Sequence, residues 1–441
     1  MTKRIVCFAL LACAFGAHAA DWRMDIFNPM TNELPDDHGA RVDDQGYVHL
    51  QAFNRPWAQA DRYETAHLYT FDANGQAPWM WGLTLARDGT SCGLAARGGH
   101  RLDCLSVDDG WGNRQPRLEM RRSGSGSPAW QAPLPGDVAV RGLAIDGTGG
   151  ALVVATRDAP WQPSIVTMRF AADGTDAGQS STPACPGFGQ RIERSRFHMP
   201  TLDGEPVVLA RACTDDFGNR TLSVDVFDAT LAQWSPRASL WLPPGESVER
   251  IEIGADGRVY AVLAHDGGPY DLIATDATQG NWLPVALPTP LGLPPQALLA
   301  DAQRLVVIPD DADPIWPTPH SAFWYDLDNG GPYWPTIGAY PSLAGFEVRA
   351  RALSADGRLL LLGDDTTQPL PSEQLRFAGR IGDADILAAL PLETYETRVG
   401  RGYLLAGPGG AAIVARTLRA DLGYAIETGV RINQYDLPPA P

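Results

Sequence analysis

A motif returns about every fifty residues along the chain, and a long period of this kind is typical of repeat architectures. Each copy contains an apolar, alternating strand, a tight turn with Asp and Gly, and a second strand of the same kind. Three clear copies span residues 140–158, 248–266 and 347–365. An acidic loop and a second hairpin follow each copy. The repeat therefore predicts a fold assembled from similar small sheets.

The first turn of the motif can be placed eight times, and helical periodicity is not sustained between the copies. The turns lie near Gly46, Gly99, Gly147, Gly204, Gly257, Ala302, Gly357 and Gly410. Each unit has room for four short strands, A to D, and 37 prolines argue against long helices. Four-stranded units repeated around an axis make a β-propeller, which protects its sheet edges by closing into a ring. We predict an all-β fold, a single propeller of eight four-stranded blades over residues 21–437. Seven blades are the alternative if one weak unit is an insertion.

The two ends of the chain complement each other. The last unit stops after its C strand at Asp436, and a short strand with an early Trp follows Asp21. We therefore expect the N-terminal strand to serve as the D strand of the last blade and close the ring. Residues 438–441 are left as a short tail.

Aromatic residues recur where the D strands begin, at Trp79, Trp234, Trp282 and Trp334. Large aromatics at outer strands most often fill the gap between neighbouring sheets.

Residues 144–178 resemble bacterial propeller repeats of the delta-sixty type, and the spacing of Asp326, Gly330 and Trp334 is similar to quinoprotein-type repeats. The resemblance implies a propeller fold. It carries over no catalytic residue, because the adjacent Cys pair of the quinone-binding enzymes is absent.

Residues 1–20 have the features of a secretory signal. Lys3 and Arg4 precede an apolar stretch over residues 5–15, and Ala17-His18-Ala19 is an A-x-A cleavage site. We predict removal of this segment and export to the periplasm or beyond. A lipoprotein anchored at Cys13 is the alternative.

The formal net charge is −17, and loss of the two basic residues in the signal makes it two units more negative. Such a surface repels nucleic acid and favours cations or basic partners. The mature chain has no apolar run long enough for a membrane helix. We expect a monomer that binds a protein or another ligand of the cell envelope, with no nucleic acid partner and no transmembrane segment.

Four cysteines remain after cleavage, and an even set in an exported protein predicts disulfides rather than metal thiolates. Cys185 lies in the connection before the fourth unit and Cys213 near the end of its B strand, so the two should meet. Cys92 and Cys104 flank the turn at 97–99. Pairing Ala96 with His100 would place them opposite each other.

The connections between strands B and C share an acidic character. In a propeller, these connections emerge together with the D–A connections on one face, which we call the B–C face; the opposite side is the A–B face. Candidate binding residues on the B–C face are Asp108, Asp109, Asp158, Asp215, Asp216, His265, Asp266, Asp310, Asp311, Asp364 and Asp365. Asn54, Arg55 and Arg416 break the pattern in the first and last units. Asp is also a common loop residue in any acidic protein.

A cation site is predicted in the Pro-rich loop of the sixth unit. Asp310, Asp311, Asp313 and His320 cluster there, and Ca²⁺ prefers several carboxylate oxygens on flexible loops. A solvated acidic loop is the alternative. No other cofactor is implied by the residues.

Linear enzyme motifs such as G-x-S-x-G, H-E-x-x-H and the P-loop are absent from the sequence. We predict an exported binding or scaffolding module whose partner docks on the acidic B–C face. The alternative is a hydrolase or lyase that uses the same face and the central channel, where His265 or His320 could act with Asp in acid–base chemistry. A quinone-dependent dehydrogenase is a third, weaker possibility.

Overall fold

The computed structural model describes residues 22–27, 31–33, 39–55, 65–72, 75–76, 79–84, 91–108, 114–122, 125, 127–158, 163–187, 189–200, 205–229, 231–275, 280–287, 290–301, 303–310, 321–327, 336–339, 345–354, 356–367, 372–381, 384–394, 398–407, 410–421 and 426–437. Every regular element in these ranges is a β-strand. They contain no helix long and apolar enough to span a membrane.

The strands form eight antiparallel sheets that follow one another along the chain. Blades 1 to 4 contain β2 (Thr31–Glu33), β3 (Ala40–Val42), β4 (Val48–Arg55), β5 (Thr65–Phe71), β6 (Trp79–Thr84), β7 (Ser91–Arg97), β8 (His100–Asp108), β9 (Arg114–Arg122), β10 (Trp130–Pro133), β11 (Val138–Ile145), β12 (Ala151–Arg157), β13 (Ser164–Phe170), β14 (Asp176–Pro183), β15 (Arg191–His198), β16 (Val207–Thr214), β17 (Arg220–Asp228) and β18 (Gln233–Leu242). Blades 5 to 8 contain β19 (Glu246–Ile253), β20 (Val259–His265), β21 (Asp271–Thr275), β22 (Trp282–Pro284), β23 (Ala297–Ala300), β24 (Arg304–Ile308), β25 (Ser321–Asp326), β26 (Thr336–Ala339), β27 (Phe346–Leu353), β28 (Leu359–Asp365), β29 (Ser372–Ile381), β30 (Ala384–Thr394), β31 (Arg398–Ala406), β32 (Ala412–Asp421), β33 (Ile426–Tyr435) and β1 (Trp22–Phe27).

Each blade has strand order A-B-C-D, and the A strand of blade 1 is split into β2 and β3, which both pair with β4. The N-terminal strand β1 pairs antiparallel with β33, with Trp22 opposite Gln434 and Phe27 opposite Gly429. It is therefore the D strand of blade 8, as the sequence predicted. The A strands contact one another in an unbroken ring from β3 through β31 and back to β3. The fold is an eight-bladed β-propeller.

Apolar side chains fill the spaces between consecutive blades. A buried cluster lies at each of the eight junctions; the one that joins blades 8 and 1 includes Leu50, Phe71 and Ile432. Trp234 packs in the junction of blades 3 and 4, and its indole N–H donates to Thr167 Oγ1 at 2.8 Å. This matches the expectation that D-strand aromatics fill gaps between sheets.

The junction of blades 1 and 2 also contains a buried polar network beside its apolar cluster. Fully buried Arg101 donates to both carboxylate oxygens of Asp103, at 2.7 and 2.8 Å, and to the Leu50 carbonyl at 3.0 Å. Gln51 Nε2 donates to the same carboxylate at 2.7 Å. Burial acts to raise the pKa of Asp103, but its guanidinium and amide partners outweigh that effect and lower it.

The register of the first cysteine hairpin differs from the predicted one. Gly98 and Gly99 both have positive φ, 56° and 70°, and form a two-residue turn that pairs Arg97, not Ala96, with His100. A β-bulge at Cys92 then shifts the ladder and brings Cys92 to Cys104, with the Cα atoms 5.0 Å apart. The predicted disulfide is confirmed, whereas the predicted register was wrong by one residue.

Candidate functional site

The predicted B–C residues lie where the topology of the blades places them, at or just after the ends of B strands. Asp108, His265 and Asp365 end β8, β20 and β28, whereas Asp158 and Asp215 directly follow β12 and β16. The residues Asp109, Asp311, Asp313 and His320 lie outside the described residues. The described B–C positions therefore share one face of the propeller.

Two of these carboxylates hold their own turns. Asp215 accepts hydrogen bonds from the backbone N–H of Phe217 at 2.9 Å and from the backbone and side-chain N–H groups of Asn219, both at 2.8 Å. Asp365 accepts from the N–H of Thr367 at 3.0 Å. Hydrogen bonds from the Asn219 and Thr367 side chains lower the pKa values of the two carboxyl groups. These residues have a structural role that the acidic pattern does not distinguish from a binding role.

The remaining B–C carboxylates fall into two groups. Asp364 is buried and paired with Arg349 of the neighbouring A strand. By contrast, Asp158, Asp216 and Asp266 are exposed, and no hydrogen bond or ion pair joins their carboxylates to a described residue. Exposed acidic groups therefore stand on three consecutive blades, 3 to 5.

His265 lies between two carboxylates other than Asp266. Its Nδ1 is 3.2 Å from Glu246 Oε1, and its Nε2 is 3.0 Å from Asp271 Oδ2. The imidazole thus links the start of the A strand in blade 5 to the start of the C strand. Both ring nitrogens are occupied by this link.

No group of three or more potential metal-ligating side chains occurs in the described part of the chain. Three of the four residues of the predicted cation site lie outside that part, so calcium binding stays a prediction.

The A strands carry arginines that sequence reasoning missed. Arg141 is the bulged residue of β11, and Arg191, Arg194 and Arg196 lie along β15. Equivalent bulges occur at Glu249 in blade 5 and at other A strands. A signal was present in the sequence, because charged residues alternate through these first strands of the repeat. By itself, that alternation indicates strands and does not show which charges remain without a partner.

Two of these arginines have no acidic partner among the described residues. The Arg141 Nε donates to Thr156 Oγ1 at 3.1 Å, and no ion pair joins it to a described carboxylate. No hydrogen bond or ion pair joins the Arg191 side chain to a described residue. Arg196, in contrast, is 3.4 Å from Glu252 of blade 5.

A cavity of about 530 Å³ opens on the B–C face between blades 3 and 4. Its wall includes Arg141, Arg191, Arg196, Ser195 and the exposed Asp158. Polar groups of both signs therefore converge at the mouth of the channel. The volume lies within the range of small-molecule sites, about 300–1,000 Å³.

A second cavity of about 380 Å³ continues along the central channel and shares Arg141, Arg196 and Phe197 with the first. Arg41 and His198 line its far end. Burial lowers the pKa of Arg41 and that of His198. Guanidinium groups and a neutral imidazole can together hold an anion and accept a proton.

The Cys185–Cys213 disulfide holds the rim of this site. It joins the D–A connection that enters blade 4 to the B strand of the same blade, with the Cα atoms 6.0 Å apart. Ala184, next to Cys185, lines the cavity on the B–C face. The predicted pairing is confirmed, and such bonds are typical of an oxidising compartment.

No protein-family model and no curated protein sequence matches the chain. The WD40 domain of SCAP from fission yeast is structurally similar, with 11% identity, a TM-score of 0.50, and coverage of 94% of this chain and 98% of the other. The β-propeller domain of the Trilobed protease from Pyrococcus furiosus has 10% identity, a TM-score of 0.43, and coverage of 80% and 99%. The polysaccharide lyase Uly1 has 7% identity, a TM-score of 0.49, and coverage of 95% and 100%. The similarity to the WD40 domain supports the propeller fold; the resemblance to particular bacterial repeats stays a prediction.

Proposed function

We propose that the protein is an exported binding module whose partner docks on the B–C face over blades 3 to 5. The observation that carries this proposal is the cavity at the channel mouth, where Arg141 and Arg191 have no acidic partner among the described residues. Charged groups that are exposed and already positioned can pair with a ligand without first breaking internal ion pairs.

The charge pattern favours a partner that carries both positive and negative charges. The cavity offers guanidinium groups, which suit carboxylates in a forked geometry. The rim offers Asp158, Asp216 and Asp266, which suit basic side chains. A protein partner meets both conditions, and complementary charges of this kind accelerate association and select against wrong partners.

Site-specific photo-crosslinking in the cell envelope tests the proposal, because blade 4 offers a matched pair of probe positions. Phe217 is 91% exposed in the B–C connection, and Leu231 is 62% exposed in the C–D turn on the opposite face. A photoreactive phenylalanine analogue at 217 should capture a partner, whereas the same probe at 231 should not. Equal capture from both faces, or none from 217, would contradict the proposed docking face.

The charge dependence is tested in the same experiment. D158N/D216N removes two exposed carboxylates from the B–C face, and R141Q/R191Q removes two cavity charges. Both variants should lower the yield from position 217. D173N/D176N changes the net charge as much as D158N/D216N does but alters the C–D turn of blade 3, on the A–B face, and should leave the yield unchanged.

An enzyme that acts in the channel is the second candidate, favoured by one observation. His198, whose pKa is lowered by burial, shares the channel cavity with Arg41, Arg141 and Arg196. A neutral imidazole beside cationic groups suits proton abstraction next to an anionic group. Degradation of anionic polysaccharides that is lost in H198N would support a hydrolase or lyase; no turnover by the folded wild type would exclude these substrates.

A further inference from the structure

A separate cavity of about 490 Å³ lies on the A–B face between blades 3 and 4. Its walls come from the A–B turn of blade 3, the end of β13, the start of β16 and the end of β17. The cavities described above open on the B–C face or follow the channel, and they share few lining residues with this one. It is therefore a distinct feature of the molecule.

The repeat itself explains why the cavity exists here. Leu152 is the second residue of its B strand, opposite Ala144, just as Tyr260 is in blade 5, opposite Glu252. Tyr260 is fully buried and fills the corresponding space between blades 5 and 6. The smaller leucine leaves room beside Phe227, which packs in the same junction of blades 3 and 4.

The cavity wall is mostly apolar, with alanines at 144, 151, 171, 172, 177 and 229. Arg169 is half-buried at this wall, and no hydrogen bond or ion pair joins its guanidinium to a described residue. Asp146, the nearby turn carboxylate, is already occupied by the backbone N–H groups of Thr148 at 2.9 Å and Gly150 at 2.8 Å. Two other charged side chains line the cavity and have partners of their own: Arg97 donates to the Ile145 carbonyl at 3.0 Å, and Glu205 lies 3.9 Å from His198 Nε2. A mostly apolar pocket in which Arg169 is available to a ligand suits an amphipathic anion.

We propose that this cavity is a binding site for a small amphipathic carboxylate. Its apolar body lies against Leu152 and Phe227, and its carboxylate pairs with Arg169. The site is independent of the partner that docks on the B–C face, since the two lie at opposite ends of blades 3 and 4.

A matched pair of probes tests the proposal by isothermal titration. Phenylbutyrate should bind the wild-type protein, and 4-phenylbutanol, which keeps the apolar body but lacks the charge, should bind about 10- to 150-fold more weakly, since a charge-assisted hydrogen bond is worth about 1.5–3 kcal/mol. R169Q should weaken phenylbutyrate binding by the same factor and leave phenylbutanol binding unchanged.

A cavity-filling variant locates the probe. L152Y places at this junction the side chain that blade 5 has at position 260, and it should abolish binding of both probes while thermal unfolding confirms a folded protein. If L152Y does not fold, L152F provides the same test with a smaller side chain. Equal affinity for the two probes, no binding of either, or unchanged binding in the filled variants would overturn the proposal.

Discussion

Removal of the disulfide at the rim of the B–C site should destabilise the protein by an amount that depends on the chain segment it closes. Cys185 and Cys213 are both buried and 28 residues apart in sequence. Closing a loop of that length in the unfolded chain is worth about 3.6 kcal/mol in the chain-entropy model. C185A/C213A should therefore lower the free energy of unfolding by about that amount.

The second disulfide supplies an internal comparison. Cys92 and Cys104 are 12 residues apart, for which the same model gives about 2.8 kcal/mol. C92A/C104A should thus be less destabilising than C185A/C213A, by about 0.8 kcal/mol. Each double variant deletes two sulfur atoms, so the loss of packing affects both.

Urea denaturation followed by tryptophan fluorescence measures both variants against the wild type. The reasoning is refuted if the pair with the shorter separation costs more, or if neither variant lowers the urea midpoint. C185A/C213A should also reduce capture by a photoprobe at position 217, because the connection that enters blade 4 is no longer held. C92A/C104A should leave that capture unchanged.

Three further outcomes follow from burial and strand pairing. Burial lowers the pKa of His49 from its ordinary value of 6.5, so below that pH the unfolded chain binds the proton more readily. Thermal stability should then fall as pH drops from about 7 to 5, by at most about 1.4 kcal/mol per pH unit, and less steeply in H49N. D103A leaves the buried Arg101 guanidinium without its carboxylate partner and should lower the free energy of unfolding in urea by about 3–5 kcal/mol. D137A removes an exposed ion pair with Arg157 and should lower it by at most about 1 kcal/mol. M24P/D25P removes two consecutive N–H donors from the strand that closes the ring, and should open blade 8 to hydrogen exchange before the other blades; uniform exchange across blades would argue against ring closure by that strand.

Local patterns were sufficient for the architecture. The turn at residues 254–258 and the strands around it recur through the chain, because every blade must bury two faces against its neighbours. The unmatched strands at the two ends predicted the pairing of β1 with β33. The Cys185–Cys213 pair followed from which strand ends meet on one face, and the Cys92–Cys104 pair from the hairpin turn between the two cysteines.

The candidate site was predicted only as a face, because a carboxylate in a loop has several possible roles. Asp215, which holds a turn, Asp364, which neutralises an arginine, and Asp158, which is exposed, occupy equivalent places in the repeat. Asp215 takes its donors from its own turn, and Asp364 is paired with an arginine on the A strand of its own blade. The role of each carboxylate therefore depends on how that turn and that strand pairing are formed in each blade.

The alternation, the turn residues and the matched ends of this chain by themselves determined a propeller ring and its closing strand, since these depend on periodicity and on strands that lack a partner within their own unit. The choice of eight blades over seven was settled by the structure. Tertiary structure alone decided which charges remain available and where space is left. The Arg141 bulge depends on the register between two strands, and the cavity beside Leu152 depends on side-chain volumes from two blades. Packing across a blade junction joins residues about fifty positions apart, and no local pattern carries that information.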